Sequence, residues 1–369
     1  MRWDSLRLHG TDADSGPGAG AGAGAPTGTA RAPALFERDA VARTFDTPGF
    51  RGITFYEVHA RSIINRVPPA SRMAFKWTIN PYRGCSHACS YCFARNSHTY
   101  LDMDAGLDFN SRIVVKVNAA QLAARELARP RWPGEHVAMG TNVDCYQRAE
   151  GRYRLMPGII GALSAAANPF SILTKGTLIL RDIDLLAQAA DVTDVGLNVS
   201  VGFVDSGLSR SVEPGTPSPE RRLAVCSALG ERGLPCGVLM GPILPYLSDS
   251  PAQLEATVRQ IAAAGATRVT PIVLHLRPGA REWYLQWLRE EHPQLAEPYR
   301  RLYGSRAYAP RDYQQRITAL VSELADRHGV GQASPAAARH APARRVTRGP
   351  GGHRPPPAPP PGGVQLSLL

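Results

Sequence analysis

Between residues 73 and 276 the chain alternates short apolar runs with longer segments whose apolar positions recur at helical spacing. The runs 73–80, 136–141, 170–175, 195–202, 236–244 and 268–276 are short and rich in branched residues, and predict six strands. The segments 119–128, 155–167, 182–190, 219–232 and 250–264 mix alanine and leucine with charges and predict helices. Several carry start and stop signals. Pro157 sits near the start of one; Ser218 precedes Pro219 and Glu220, with Gly233 at the end; Ser250 precedes Pro251, with Gly265 closing the segment.

Regular strand-then-helix alternation gives parallel strands joined by right-handed crossovers. Six units predict an α/β fold, an open partial (β/α)6 TIM-like barrel rather than a closed eight-fold one. Active residues in such folds gather at the C-terminal ends of the strands. The loop after the first strand and the polar stretches 141–150, 174–175 and 200–213 therefore all open onto one face. Before the barrel, residues 50–58 predict a short strand or turn leading to the core. After it, 282–303 and 313–328 read as two helices, with Trp283, Tyr284, Trp287, Leu288 and Leu302 available to cover a core.

Composition changes at both ends. Residues 11–33 are Gly, Ala, Ser, Thr and Pro, and from Gly331 the chain is Pro, Gly, Ala and Arg, so neither stretch can bury much apolar surface. The expected organisation is a disordered segment over 1–33, an extension over 34–72, the partial barrel over 73–280, a C-terminal helical extension over 281–330 and a disordered basic tail over 331–369. The net charge of +11 and a pI near 9.7 favour polyanionic partners, nucleic acid above all. Much of that excess is in the tail, at Arg339, Arg344, Arg345, Arg348 and Arg354.

Six cysteines without even spacing point to a reducing compartment rather than a disulfide scaffold. The start Met1-Arg2-Trp3-Asp4-Ser5 is not a basic region followed by an apolar one, and no apolar run is long enough to cross a bilayer. A soluble, cytoplasmic protein without a membrane partner is expected.

The densest chemistry lies in residues 80–95. Cys85, Cys89 and Cys92 have the spacing C-x3-C-x2-C, and Gly84 allows a tight turn into them. Thiolates are the ligands iron–sulfur clusters require, and three of them leave one iron of a four-iron cluster free of protein. A zinc site completed by His87 or His98 is the alternative. Asp102, Asp104 and Asp108 lack the closing glutamate of a calcium loop and read as a solvated turn.

The cysteine spacing, with the aromatic Tyr91 before the third cysteine, resembles the signature of radical S-adenosylmethionine (SAM) enzymes. With Thr174-Lys175-Gly176, Glu213-Pro214-Gly215-Thr216-Pro217, Arg221-Arg222-Leu223 and Gly241-Pro242-Ile243-Leu244-Pro245, the stretch 75–277 resembles the spore photoproduct lyase-like, or DNA repair photolyase-like, branch. The resemblance implies a 4Fe-4S cluster on Cys85, Cys89 and Cys92, with SAM chelating the free iron and an electron from the cluster cleaving it to a 5′-deoxyadenosyl radical.

It also implies that Tyr91 lies against the adenine region of SAM and that Thr141, Asn142 and Asp144 contact its amino group. Lys175, Ser200 and Glu213 would reach its carboxylate or ribose. Cys145 takes the place of a hydrogen-atom donor, although it follows Asp144 where the lyase cysteine precedes its comparable stretch. Cys226 and Cys236 read as core. The end Gln365, Leu366, Ser367, Leu368 and Leu369 resembles the peptide by which bacterial repair proteins dock on the DNA sliding clamp.

The expected function is hydrogen abstraction from damaged DNA, with a reducing protein or other reductant as partner. RNA or peptide modification, and a non-enzymatic DNA-associated metal-binding protein, stand as rival readings.

Overall fold

The computed structural model describes residues 40–330, apart from Ala70 and Arg72, together with the strand Leu6–Arg7. The segment 11–33, the arginine-rich tail and the clamp-like peptide Gln365 to Leu369 lie outside the described residues.

The strands, in chain order, are β1 (Leu6–Arg7), β2 (Val41–Thr44), β3 (Thr54–Ala60), β4 (Ile64–Arg66), β5 (Trp77–Ile79), β6 (Tyr82–Arg83), β7 (Arg112–Lys116), β8 (Val137–Met139), β9 (Phe170–Thr174), β10 (Val195–Ser200), β11 (Cys236–Ile243) and β12 (Arg268–Val273). The helices are α1 (Leu107–Ser111), α2 (Ala119–Leu127), α3 (Arg148–Tyr153), α4 (Leu155–Ala165), α5 (Ile183–Ala190), α6 (Ser206–Val212), α7 (Pro219–Glu231), α8 (Pro251–Ala263), α9 (Ala280–Glu291), α10 (Ala296–Tyr303) and α11 (Arg311–Arg327).

All six strands expected of the barrel form, and they lie side by side as β5, β8, β9, β10, β11 and β12, each parallel to the next. The sheet does not close: β4 adds antiparallel to β5 at one edge and β12 ends the other. The register aligns Ile79, Met139, Ile172, Leu197 and Cys236 in one row across five strands, and all five are buried. Burying an aliphatic side chain of this size contributes roughly 1.5–3 kcal/mol, so the row fixes which residues face which across the sheet.

The helix signals also hold. Ser218 accepts from the Arg221 amide at the start of α7, and Ser250 forms a capping box with Gln253 at the start of α8.

A second sheet was not foreseen. Its centre is β3, which pairs antiparallel with β1 and β2 and parallel with β7, and β6 joins β7 antiparallel. Only β3 had a partial sequence signal, at 50–58, where a turn of 3-10 helix at Pro48–Phe50 precedes it. The sheet matters to the site, because β6 and β7 flank the cysteine loop: the Cys85 amide donates to Phe109 O at 2.9 Å, just before β7.

The single helix expected over 282–303 is two. Pro293 has no amide to donate and pushes His292 out of helical geometry (φ −140°, ψ 58°), so α9 stops at Glu291 and α10 begins at Ala296. The break lets three buried tyrosines tie the extension to the sheet ends. Tyr284 and Tyr299 share a hydrogen bond of 2.9 Å, Tyr299 donates to Pro245 O at 2.8 Å, and Tyr303 donates to Leu274 O at 2.7 Å. One continuous apolar core runs from Phe55 through the sheet to Ala325.

Candidate functional site

Gly84 turns the chain from β6 into the cysteine loop with φ +78°, and a Cβ there would lie 3.0 Å from both Arg112 O and Phe109 O. Gln147 then grips the turn, donating from Nε2 to Gly84 O and accepting the Ser86 amide at Oε1, each at 2.9 Å. On the other side Gly215 donates its amide to His87 O at 3.0 Å, and a Cβ on Gly215 would fall 2.0 Å from Ser86 O. Only glycine allows that approach. The loop is thus held by two distant segments.

It forms one wall of a cavity of about 860 Å³, counted with its open mouth. Cys85, Cys89 and Cys92 lie on that wall; all three are free thiols, the first two buried. Burial pushes every one of these thiols above its ordinary value, Cys89 to about 12 with Glu213 adding to the effect. Ionising them therefore calls for a cation in the cavity.

The remaining wall comes from the C-terminal ends of the parallel strands. It includes Thr141, Asn142 and Asp144 after β8, Thr174 and Lys175 at β9, Ser200 at β10, Gly241 and Pro242 in β11, and Leu274 and His275 after β12. Tyr91 joins them from the loop. Two expected site residues do not line the cavity: Cys145 is fully buried, and Glu213 sits behind Tyr91 and Lys175.

Glu213 nevertheless organises the polar end. It accepts from the Tyr91 hydroxyl at Oε1 and pairs through Oε2 with the buried Arg222. Burial would raise its carboxyl, but Arg222 and then Lys175 hold it below its ordinary value. The Lys175 ammonium lies 3.9 Å from Glu213 Oε1, donates to Ser200 Oγ at 2.6 Å and sits 5.8 Å from the Tyr91 ring centre. With three donors and two directions used, one N–H remains for the cavity.

Asp144 is more heavily engaged than its sequence suggested. Oδ1 accepts from the Tyr146 amide at 2.9 Å and the Thr174 hydroxyl at 2.7 Å; Oδ2 accepts from the Lys175 amide at 2.6 Å and faces His87 Nδ1 at 3.4 Å. Burial opposes its charge, yet His87 and these donors bring the carboxyl down to about 2. It binds the ends of β8 and β9 to the cysteine loop.

Of the histidines considered as zinc ligands, His87 faces Asp144 through Nδ1, and His98 bonds Arg112 O through Nε2 at 2.9 Å with its ring against Phe109 and its Nδ1 buried without a partner among the described residues. Among the described residues no three His, Cys, Asp or Glu side chains, the three cysteines included, are set to hold a single metal ion.

Sequence reasoning missed Gln147, Arg222, His87 as partner of Asp144, and His275. Arg222 had a signal, since it follows Glu213 within the motif already singled out. The others act across more than 50 residues of chain or from beyond the last strand, where no local pattern marks them.

The sequence model of the radical SAM superfamily matches residues 79–261. An uncharacterised protein of Mycobacterium tuberculosis, Rv2578c, is 48% identical over 326 residues, covering 88% of this chain and 92% of that protein. An uncharacterised protein of Methanocaldococcus jannaschii, MJ0683, is 30% identical over 197 residues, covering 53% of this chain and 70% of that one. Among solved structures, spore photoproduct lyase complexed with dinucleoside spore photoproduct aligns at a TM-score of 0.57 and 16% identity, over 75% of this chain and 80% of the lyase, a likeness of fold. The match across the cysteine loop and barrel sets aside the non-enzymatic reading, and the chain belongs to the radical SAM superfamily as one of its enzymes.

Proposed function

We propose that Cys85, Cys89 and Cys92 hold a 4Fe-4S cluster with one iron free for SAM, and that the enzyme abstracts a hydrogen atom from a nucleic-acid substrate. The observation that carries this reading is the meeting of three free thiols and the Lys175–Ser200 pair on the walls of one cavity at the C-terminal strand ends. The residues fit such a group. Besides the thiols, Ser86 Oγ and Ser90 Oγ, adjacent in the chain to Cys85 and Cys89, are buried without a hydrogen-bond partner among the described residues. When bound and reduced by an external donor, the cluster supplies the electron that splits SAM into methionine and a 5′-deoxyadenosyl radical.

The chain's own residues bind and orient. Lys175, held by Ser200 and Glu213, directs its remaining N–H to the SAM carboxylate, and Tyr91, fixed by Glu213, offers its ring to the adenine region. Thr141 and Asn142 stand at the cavity wall within the strand-end loop that would meet the amino group, and Asp144 positions that loop. Cys145 is fully buried and does not line the cavity, so the geometry lends no support to its role as hydrogen-atom donor. A nucleic-acid substrate is supported by the net charge of +11 and by the fold likeness to a lyase solved with a dinucleoside lesion.

Anaerobically reconstituted protein with dithionite and SAM is expected to form 5′-deoxyadenosine, and Cys89→Ala to form none. A fully loaded cluster that leaves SAM intact would end the proposal. Substrate class is read from deuterium moving into 5′-deoxyadenosine from labelled lesion-bearing DNA; transfer from labelled RNA or peptide alone would replace DNA.

A further inference from the structure

Arg95 lies three residues after Cys92 and is fully buried. Its Nη2 donates to Cys89 O at 2.8 Å, Asn110 Oδ1 at 3.0 Å and Ala88 O at 3.3 Å, and its Nε to Cys89 O at 3.2 Å. Nη1 donates to Gly106 O at 2.8 Å and Ala105 O at 3.1 Å. The guanidinium carbon is 4.8 Å from the Trp283 ring centre and 5.2 Å from that of Phe109.

Every acceptor it uses is neutral, and none of the ion pairs among the described residues includes it. Aromatic faces and carbonyls ease the desolvation of a cation, but a buried charge ordinarily has an anion. Arginine cannot escape by losing its proton. The guanidinium donates to the carbonyls of Ala88 and Cys89, inside the loop that carries all three thiols, and no carboxylate is among its hydrogen-bond partners. The anion that matches this cation is the thiolate set itself.

We infer that Arg95 is a built-in counter-charge to the iron–sulfur centre, a positioning residue that raises the centre's reduction potential while its hydrogen bonds clamp the cysteine loop. The inference rests on the cluster reading above. One-electron reduction from a low-potential donor adds negative charge to the centre, and a fixed cation in a water-poor setting stabilises the reduced form more than the oxidised one. The clamp and the charge are separable, because lysine keeps the charge without the fork and glutamine keeps neutral hydrogen bonding without the charge.

Wild-type protein, Arg95→Gln and Arg95→Lys are reconstituted anaerobically, assayed for iron and sulfide, and titrated with dithionite while the reduced cluster is followed by electron paramagnetic resonance. The expected result is a loaded Gln variant at least tenfold harder to reduce, about 59 mV lower for one electron, and a Lys variant within threefold of wild type. A loaded Gln variant at the wild-type potential, a Lys variant that falls as far as Gln, or loss of the cluster from both would each make Arg95 a loop clamp only and overturn the inference. Wild-type protein without iron and sulfide defeats the cluster reading instead, so the two failures are told apart.

Discussion

Lys175 shows how much a single residue's role depends on neighbours far away in sequence. A lysine at a strand end is ordinarily solvated, but here its ammonium is drawn to Ser200 on the next strand and toward Glu213 beyond it. A hydrogen bond involving a charged group contributes about 1.5–3 kcal/mol, so Lys175→Ala is expected to weaken SAM binding by roughly ten- to a hundred-fold with the cluster still loaded. Isothermal titration of reconstituted protein with SAM measures this; unchanged affinity would remove Lys175 from the carboxylate site. At this scale the placement of the cysteines, Tyr91, Lys175 and Ser200 around one cavity was legible, because the cysteine motif and the strand-end positions carry that signal. Glu213 could be named but not placed: that it works through Tyr91, Lys175 and Arg222 is a matter of packing that no spacing along the chain contains.

At the scale of elements, the connection between the two sheets is carried by Glu150, a residue with no sequence signal of its own. Fully buried at the third position of α3, it accepts from Tyr82 of β6 at 2.5 Å, from the Leu155 and Met156 amides that open α4 at 3.0 and 3.1 Å, and from Arg181 at 2.7 Å. One carboxylate thus caps a helix and joins the smaller sheet to the barrel. Removing one member of a buried ion pair typically costs about 3–5 kcal/mol, so Glu150→Ala is expected to lose stability of that size in chemical denaturation. Arg181→Met, which leaves the carboxylate three other donors, should cost less. The parallel strands and their helices were readable because each buries a periodic face. β7 was not, since Ile113-Val114-Val115 between two basic residues is too short to reveal a period, and its partners β3 and β6 are set by tertiary pairing. The break at Pro293 could have been read from the sequence, where the run of helix-favouring residues on both sides outweighed it.

For the molecule as a whole, charge divides the chain in a way that tests how the substrate is gathered. Five of the eleven excess positive charges are arginines between 339 and 354, in a stretch without acidic residues, which leaves +6 on residues 1–330. The barrel cavity can read a substrate only where the chain enters it, whereas a long basic segment can hold a polyanion without regard to sequence or lesion. If the five tail arginines all contact duplex phosphates, deleting residues 331–369 should reduce the slope of log affinity against log salt by about 4.5. The SAM cleavage rate without substrate should stay as it was, because every residue of the cavity lies before Arg277. Fluorescence anisotropy with a labelled duplex at several salt concentrations gives the slope. A slope that survives the deletion would place phosphate binding on residues 1–330, and the tail would then have no part in substrate capture.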